Sequence, residues 1–138
     1  MSEQLATYLE QWPTAQATVK KVLMELRAAA LALDGAVESF VARPGISHSL
    51  RYDLSPRPEG RQRPVFFLID VVEFEGLRCL SVCFYEDEIQ DPRELGNAIP
   101  QGLFQETGYC FDVDDYDREQ IDYLRGRLSQ AHRNATGR

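Results

Sequence analysis

The sequence has little of what most catalytic and metal chemistry requires. It holds two histidines, His48 and His132, and three cysteines in 138 residues. No CxxC pair, HExxH, GxSxG, GxGxxG or Walker-type glycine loop occurs, so zinc, serine-hydrolase and nucleotide-binding readings lack their minimum motif. No apolar run approaches the roughly 20 residues of a membrane span. The opening Met1-Ser2-Glu3-Gln4 has neither the basic nor the apolar region of a signal peptide, and the expected address is the cytoplasm, as for a small bacterial-type protein. Basic residues are also short: 15 Lys and Arg face 22 Asp and Glu, a formal net charge of −7. That balance opposes a nucleic-acid backbone or an anionic membrane surface as partner.

Cysteine chemistry is constrained in the same way. Cys79 and Cys83 lie four residues apart on one expected strand, about 13 Å at ~3.3 Å per residue, beyond the ~7 Å reach of a disulfide. With an odd third cysteine, the expectation is three reduced thiols, no metal and no cofactor. Reduced thiols fit the cytoplasm.

What is present points to a packed core. Apolar residues make up 43% of the chain, and its length suits one domain of about 150 residues, so residues 1–138 are read as a single α+β domain. Leu5, Tyr8, Leu9 and Trp12 recur at helical spacing behind Ser2 as N-cap, up to Pro13. Val19, Val22, Leu23, Leu26, Ala30 and Leu33 mark a second helix ending at Gly35. These two helices fill residues 1–35.

Residues 36–113 read as an antiparallel sheet of about five strands. A turn at Pro44-Gly45 sets Arg51 opposite Glu38 and gives a strand over 46–54 with His48, Leu50 and Tyr52 on one face. The polar segment 55–64 is a surface loop. Two β-rich runs around Glu75-Gly76 form a hairpin whose register pairs Glu73 with Arg78, Val71 with Leu80, Ile69 with Val82 and Phe67 with Phe84. Both hairpin faces are mostly apolar, so cover on both sides is expected, by helices or by a second subunit. Asp91-Pro92 starts a short helix near 92–96, a turn follows at Ile99-Pro100-Gln101-Gly102, and Tyr109 to Val113 alternate as the fifth strand. A C-terminal helix over 114–134 opens on Asp114, Asp115 and Asp117, with a frayed tail behind it.

The same hairpin register places Asp70 opposite Ser81, with Cys79, Cys83 and Tyr85 on that face. An acid in mid-strand is either a pocket carboxylate, acting as general base or ligand anchor, or an acceptor for Ser81 or a backbone group. Asp70, Cys79, Ser81, Cys83 and Tyr85, together with His48, are the candidate ligand-binding residues. A Cys nucleophile would need His48 or His132 as base, and His132 suits the end of the last helix, where its cation complements the dipole. Arg57, Arg61 and Arg63 form either a solvated loop or a grip for an acidic partner. The acids of 86–91 and 112–117 are either a solubilising surface or a patch for a basic partner; the calcium-loop look of 112–117 fails at Tyr116 and Asp117.

These residues favour a non-enzymatic binding or regulatory module for a small ligand or protein partner, as a monomer or homodimer. The alternative is a small enzyme with a carboxylate or thiol on the Asp70 face. An acidic inhibitor of a basic enzyme rests on net charge alone.

Overall fold

The computed structural model describes residues 1–137 and shows an α+β fold, with three α-helices packed on one face of a six-stranded antiparallel sheet. Helix α1 spans Glu3–Glu10 and α2 spans Ala17–Leu31. The strands are β1 (Ala36–Arg43), β2 (Ser47–Leu54), β3 (Phe67–Phe74), β4 (Leu77–Tyr85), β5 (Asn97–Leu103) and β6 (Glu106–Val113), and α3 (Arg118–Thr136) closes the chain. The sheet order is β1-β2-β3-β4-β6-β5.

Side-chain caps close the first turns of α1 and α3, whereas α2 has none. Ser2 accepts the amide of Leu5, and Asp117 accepts those of Glu119 and Gln120, satisfying donors that a first turn leaves open. The apolar stripes of α1, α2 and α3 then bury Leu5, Leu9, Val22, Leu26, Ile121 and Leu124 against the sheet. The β3–β4 hairpin takes the register read from its charges, with Glu73 opposite Arg78, Asp70 opposite Ser81 and Ile69 opposite Val82.

Five expectations are corrected. The Pro44-Gly45 turn forms, closed by the Ile46 amide on the Arg43 carbonyl at 2.9 Å, but Ile46 is an extra residue before the ladder starts at Arg43 opposite Ser47. Arg51 therefore faces Ser39, and Glu38 turns to the helix side, where Arg27 and the Tyr52 hydroxyl hold its carboxylate. Residues 92–96 do not form a helix. Glu94 takes a left-handed φ of 55°, and the Asp91 carboxylate is drawn to the Leu95 and Gly96 amides and to two tyrosines instead of capping a helix.

The expected turn at Ile99–Gly102 lies inside β5, one strand more than the five read from the pattern. Pro100 is tolerated because β5 is an edge strand, where a missing N–H leaves no ladder bond unmade. The true turn is at Phe104 and Gln105, both at positive φ (48° and 69°) with no glycine to announce it. The tail is ordered further than read: α3 runs through Thr136, and Asn134 donates to the Glu88 carbonyl.

Finally, the helices cover the hairpin on one face, and the other face is covered only at its Leu68, Cys83 and Tyr85 end. Phe67, Ile69, Val71, Leu80, Val82 and Phe84 are buried under the helices, whereas Val72, Phe74 and Leu77 on the other face are exposed. Phe84 is fully buried among Phe67 and Phe111. Replacing Phe84 with Ala should destabilise the fold by about 3 to 5 kcal/mol, measured by chemical denaturation; a cost below about 1 kcal/mol would contradict this packing.

Candidate functional site

Alternation along the strands sends Ser47, Ser49, Arg51 and Asp53 of β2 to the open face, with Leu68, Asp70, Val72 and Phe74 of β3. Strand β4 adds Leu77, Cys79, Ser81, Cys83 and Tyr85, and β6 adds Cys110 and Asp112. The ladder aligns Ser49, Asp70, Ser81 and Asp112 in one polar row across four strands. Asp70 is half-buried in that row, and among the described residues its carboxylate has no hydrogen bond or ion pair. The expected bond from Ser81 does not form. The Ser81 hydroxyl lies 3.3 Å from the Cys83 sulfur, which carries no proton in a disulfide and so accepts. Ser49 is fully buried and receives the Arg51 guanidinium at 3.4 Å.

The expectation of three reduced thiols is overturned. Cys83 and Cys110 are direct neighbours across β4 and β6, with Cα atoms 4.2 Å apart, and form a disulfide; Cys79 is free. The sequence reading weighed only the two cysteines of one strand, and Cys110 becomes a partner solely because β6 inserts beside β4. The disulfide also removes the thiol argument for a cytoplasmic address.

One end of the open face is closed by the β5–β6 turn. Leu103 packs with Val65, Leu68, Cys83 and Tyr85 in a small second cluster, and the Phe104 ring lies 5.3 Å from the Arg51 guanidinium carbon. Tyr85 is fully buried there under Arg63, so it does not line a pocket. Its phenol is pushed up to about 12, chiefly by burial.

His48 does not join this group. It lies on the helix side of β2, stacked on Tyr8 at 4.3 Å and near Phe40 at 6.0 Å. Burial there, reinforced by the Arg78 charge and opposed by Glu73, lowers its pKa below the usual histidine value. Cavities of about 280 and 490 Å³ flank the ring, and neither is lined by Asp70 or a cysteine. Cys79 and His48 therefore point to opposite faces, which denies the thiol its base. His132 holds the Asp34 carbonyl at 2.7 Å, a contact in which the ring N–H must donate. Among the described residues no group of three His, Cys, Asp or Glu side chains is placed to hold a metal ion.

The loop arginines are spent internally. Arg61 makes a buried two-point pair with Glu88, Arg63 bridges Asp87 and Glu106, and Arg57 pairs with Asp53. This replaces the reading of a free basic grip. The residue that sequence reasoning missed is Asp91, taken there as a helix cap. Its carboxylate accepts the Tyr109 hydroxyl at 2.5 Å, the Tyr123 hydroxyl and the amides of Leu95 and Gly96. Gly96 is needed beside it, since a Cβ there would meet the Tyr109 ring at 2.6 Å.

Comparison with protein-family models, with curated proteins and with solved structures finds no match for this chain. The geometry alone carries the functional reading.

Two measurements test this description. The intact mass without reductant should be two hydrogens below the reduced value, with one cysteine, Cys79, labelled by iodoacetamide; three labelled cysteines would refute the cross-strand bond. Burial works against the charge of Asp91, but hydrogen bonds from Tyr109, Tyr123, Gly96 and Leu95 outweigh it and hold the carboxyl down at about 2. A folded pKa below the unfolded one gives stability that is present above about pH 4 and lost as pH falls toward 2. Asp91→Asn should therefore cost up to about 2 kcal/mol at pH 7, and thermal melts should show that gap closing between pH 4 and pH 2.

Proposed function

We propose that this chain is a non-enzymatic binding module whose open sheet face receives a protein partner with apolar and basic groups. The observation that carries the reading is the exposed apolar patch at one end of that face. Val72, Phe74 and Leu77 are 39%, 69% and 57% exposed, and Phe74 and Leu77 are direct cross-strand neighbours. Adjoining exposed side chains of this size on a sheet mark an interaction surface more often than an accident of folding.

Charge completes the pattern. The Asp70 carboxylate is unpaired and Asp112, in the same row, is exposed, while the cations of this face, Arg51 and Arg43, stand toward its β1 side on the Ser49 and Ser47 hydroxyls. The face thus offers acid at its centre and apolar surface at its hairpin end, which suits a basic and apolar protein surface. The net charge of −7 argues against nucleic acid as that partner. A small-molecule site is normally concave, and the cavities around His48 lie elsewhere, which also weakens the alternative of an enzyme built on Asp70 or Cys79.

Affinity capture from the source cells, quantified by mass spectrometry, tests the reading with the full chain, Phe74→Asp, Asp70→Asn and the loop control Glu59→Gln. At least one protein should be retained by the wild type and the control and fall tenfold or more with both face variants. A set of captured proteins identical across all four baits would overturn the proposal.

A further inference from the structure

The two edges of the sheet are built differently. Strand β5 is blunted: Pro100 removes an N–H, Gln101 takes a φ of 58°, and the pairing with β6 shifts between Ile99 and Leu103. Such devices discourage strand addition. The other edge, β1, has none of them. Its eight residues, Ala36–Arg43, pair regularly with β2 without a bulge, proline or glycine. Among the described residues, the backbone groups of 37–42 are hydrogen-bonded only within the β1–β2 ladder. The outer N–H and C=O row of β1 is therefore open.

Directly beside this edge lies a groove of about 490 Å³ between α1 and β1, within the range of ligand pockets. Thr7 and Tyr8 of α1 line it together with Phe40 and Ala42 of β1 and His48 of β2; the Tyr8 ring is packed on Phe40 at 5.4 Å and on His48 at 4.3 Å, so the rings form one aromatic surface. The Tyr8 hydroxyl is buried and has no hydrogen-bond partner among the described residues. Burial holds that phenol at about 12, outweighing the Arg78 charge, so it remains a donor. Glu3 stands at the mouth of the groove, and the segment 2–12 contains no lysine or arginine.

We propose that the α1–β1 groove is a second binding site, for an extended peptide that adds a strand to the β1 edge. The peptide lays an apolar side chain over the Tyr8 and Phe40 rings, against Thr7 and Ala42, and turns a basic residue toward Glu3. Strand addition supplies affinity through the main chain, and the pocket for alternate side chains supplies selectivity. A second copy of the chain is a poorer occupant. Two β1 edges joined about a two-fold axis would bring two α1 helices together, each carrying Glu3 and Glu10 and no basic residue. This site is independent of the open-face reading.

The test selects a displayed library of random nine-residue peptides on the full-length protein. Enriched peptides are then synthesised and their affinities measured by fluorescence anisotropy. The expected winners alternate apolar residues and carry Lys or Arg near one end. Ala42→Trp, which fills the groove from β1, and Thr7→Trp, which fills it from the exposed side of α1, should each weaken binding tenfold or more. Glu3→Lys should weaken it severalfold at low salt, and Phe74→Asp on the open face should leave it unchanged. N-methylation of alternate peptide amides should abolish it, as strand pairing requires. Failure to enrich any peptide, or winners indifferent to both tryptophan variants, overturns the proposal. Sedimentation showing a wild-type dimer that Thr7→Trp dissociates would assign the edge to a second copy and overturn it as well.

Discussion

A ladder of aromatic rings crosses the helix side of the sheet and holds its strands in one register. Tyr52 stacks on Phe67 at 4.7 Å, Phe67 on Phe84 at 5.6 Å, and Phe84 meets Phe111 edge-on at 5.9 Å, linking β2, β3, β4 and β6. Phe111 then reaches Tyr123 of α3. Because strand side chains alternate with period two, a slip of one residue anywhere in this ladder would send rings into solvent and carboxylates into the core. The composition of the open face follows from it. Asp70, Ser81 and Asp112 stand in a row there because Ile69, Val82 and Phe111 must stand in the row behind.

Polar clamps tie the remaining segments to this frame. The Gln16 amide pairs both ways with the backbone of Arg78 at 2.9 Å, extending β4 toward the helices as a strand would. Arg78 then lies over Tyr8 and Trp12. Arg27, Glu38 and Tyr52 join α2 to two strands, and Arg61 with Glu88 pins the long loop. Partly or fully buried pairs of this kind add little net stability over an apolar filling, but losing one partner is costly. Their functional consequence is electrostatic. Each of these arginines withdraws a carboxylate with it, so the formal net charge of −7 is left to the rest of the surface, which bears directly on the kind of partner the molecule can take.

Local chemistry was legible in the sequence, and non-local chemistry was not. The β3–β4 register could be read because a tight turn joins the two strands and their charges match across it. The cap at Ser2 was equally plain, being decided within three residues, whereas Asp117 was one of three aspartates read together as acids at the start of the last helix. Strand β5 was hidden because Pro100 and Gly102 look like turn residues, while the real turn uses Phe104 and Gln105 in a conformation that glycine normally announces. The candidate site was half visible. Asp70, Cys79 and Ser81 do share the open face. His48 was grouped with them although its own alternation with Leu50 and Tyr52 already placed it on the other side. Cys110 and Asp91 were missed because their partners come from β4 and α3, and only the order β4-β6-β5 and the docking of α3 bring those together.

The two surfaces argued above meet along β1. Its alternation gives Val37, Ser39 and Val41 to the open face and Phe40 and Ala42 to the groove under α1. A strand added at this edge would lie beside both, so its side chains would alternate between filling the groove and widening the open face by one strand. At the opposite edge the bulged, proline-bearing β5 prevents the same extension. The sheet is thereby directional: it can grow past β1 but not past β5, and the half of its open face already closed by Leu103 and Phe104 lies on the stopped side. An occupant approaching from β1 meets Val37, the polar row and the exposed hairpin end, where Val72, Phe74 and Leu77 adjoin, before it meets the half closed by Leu103.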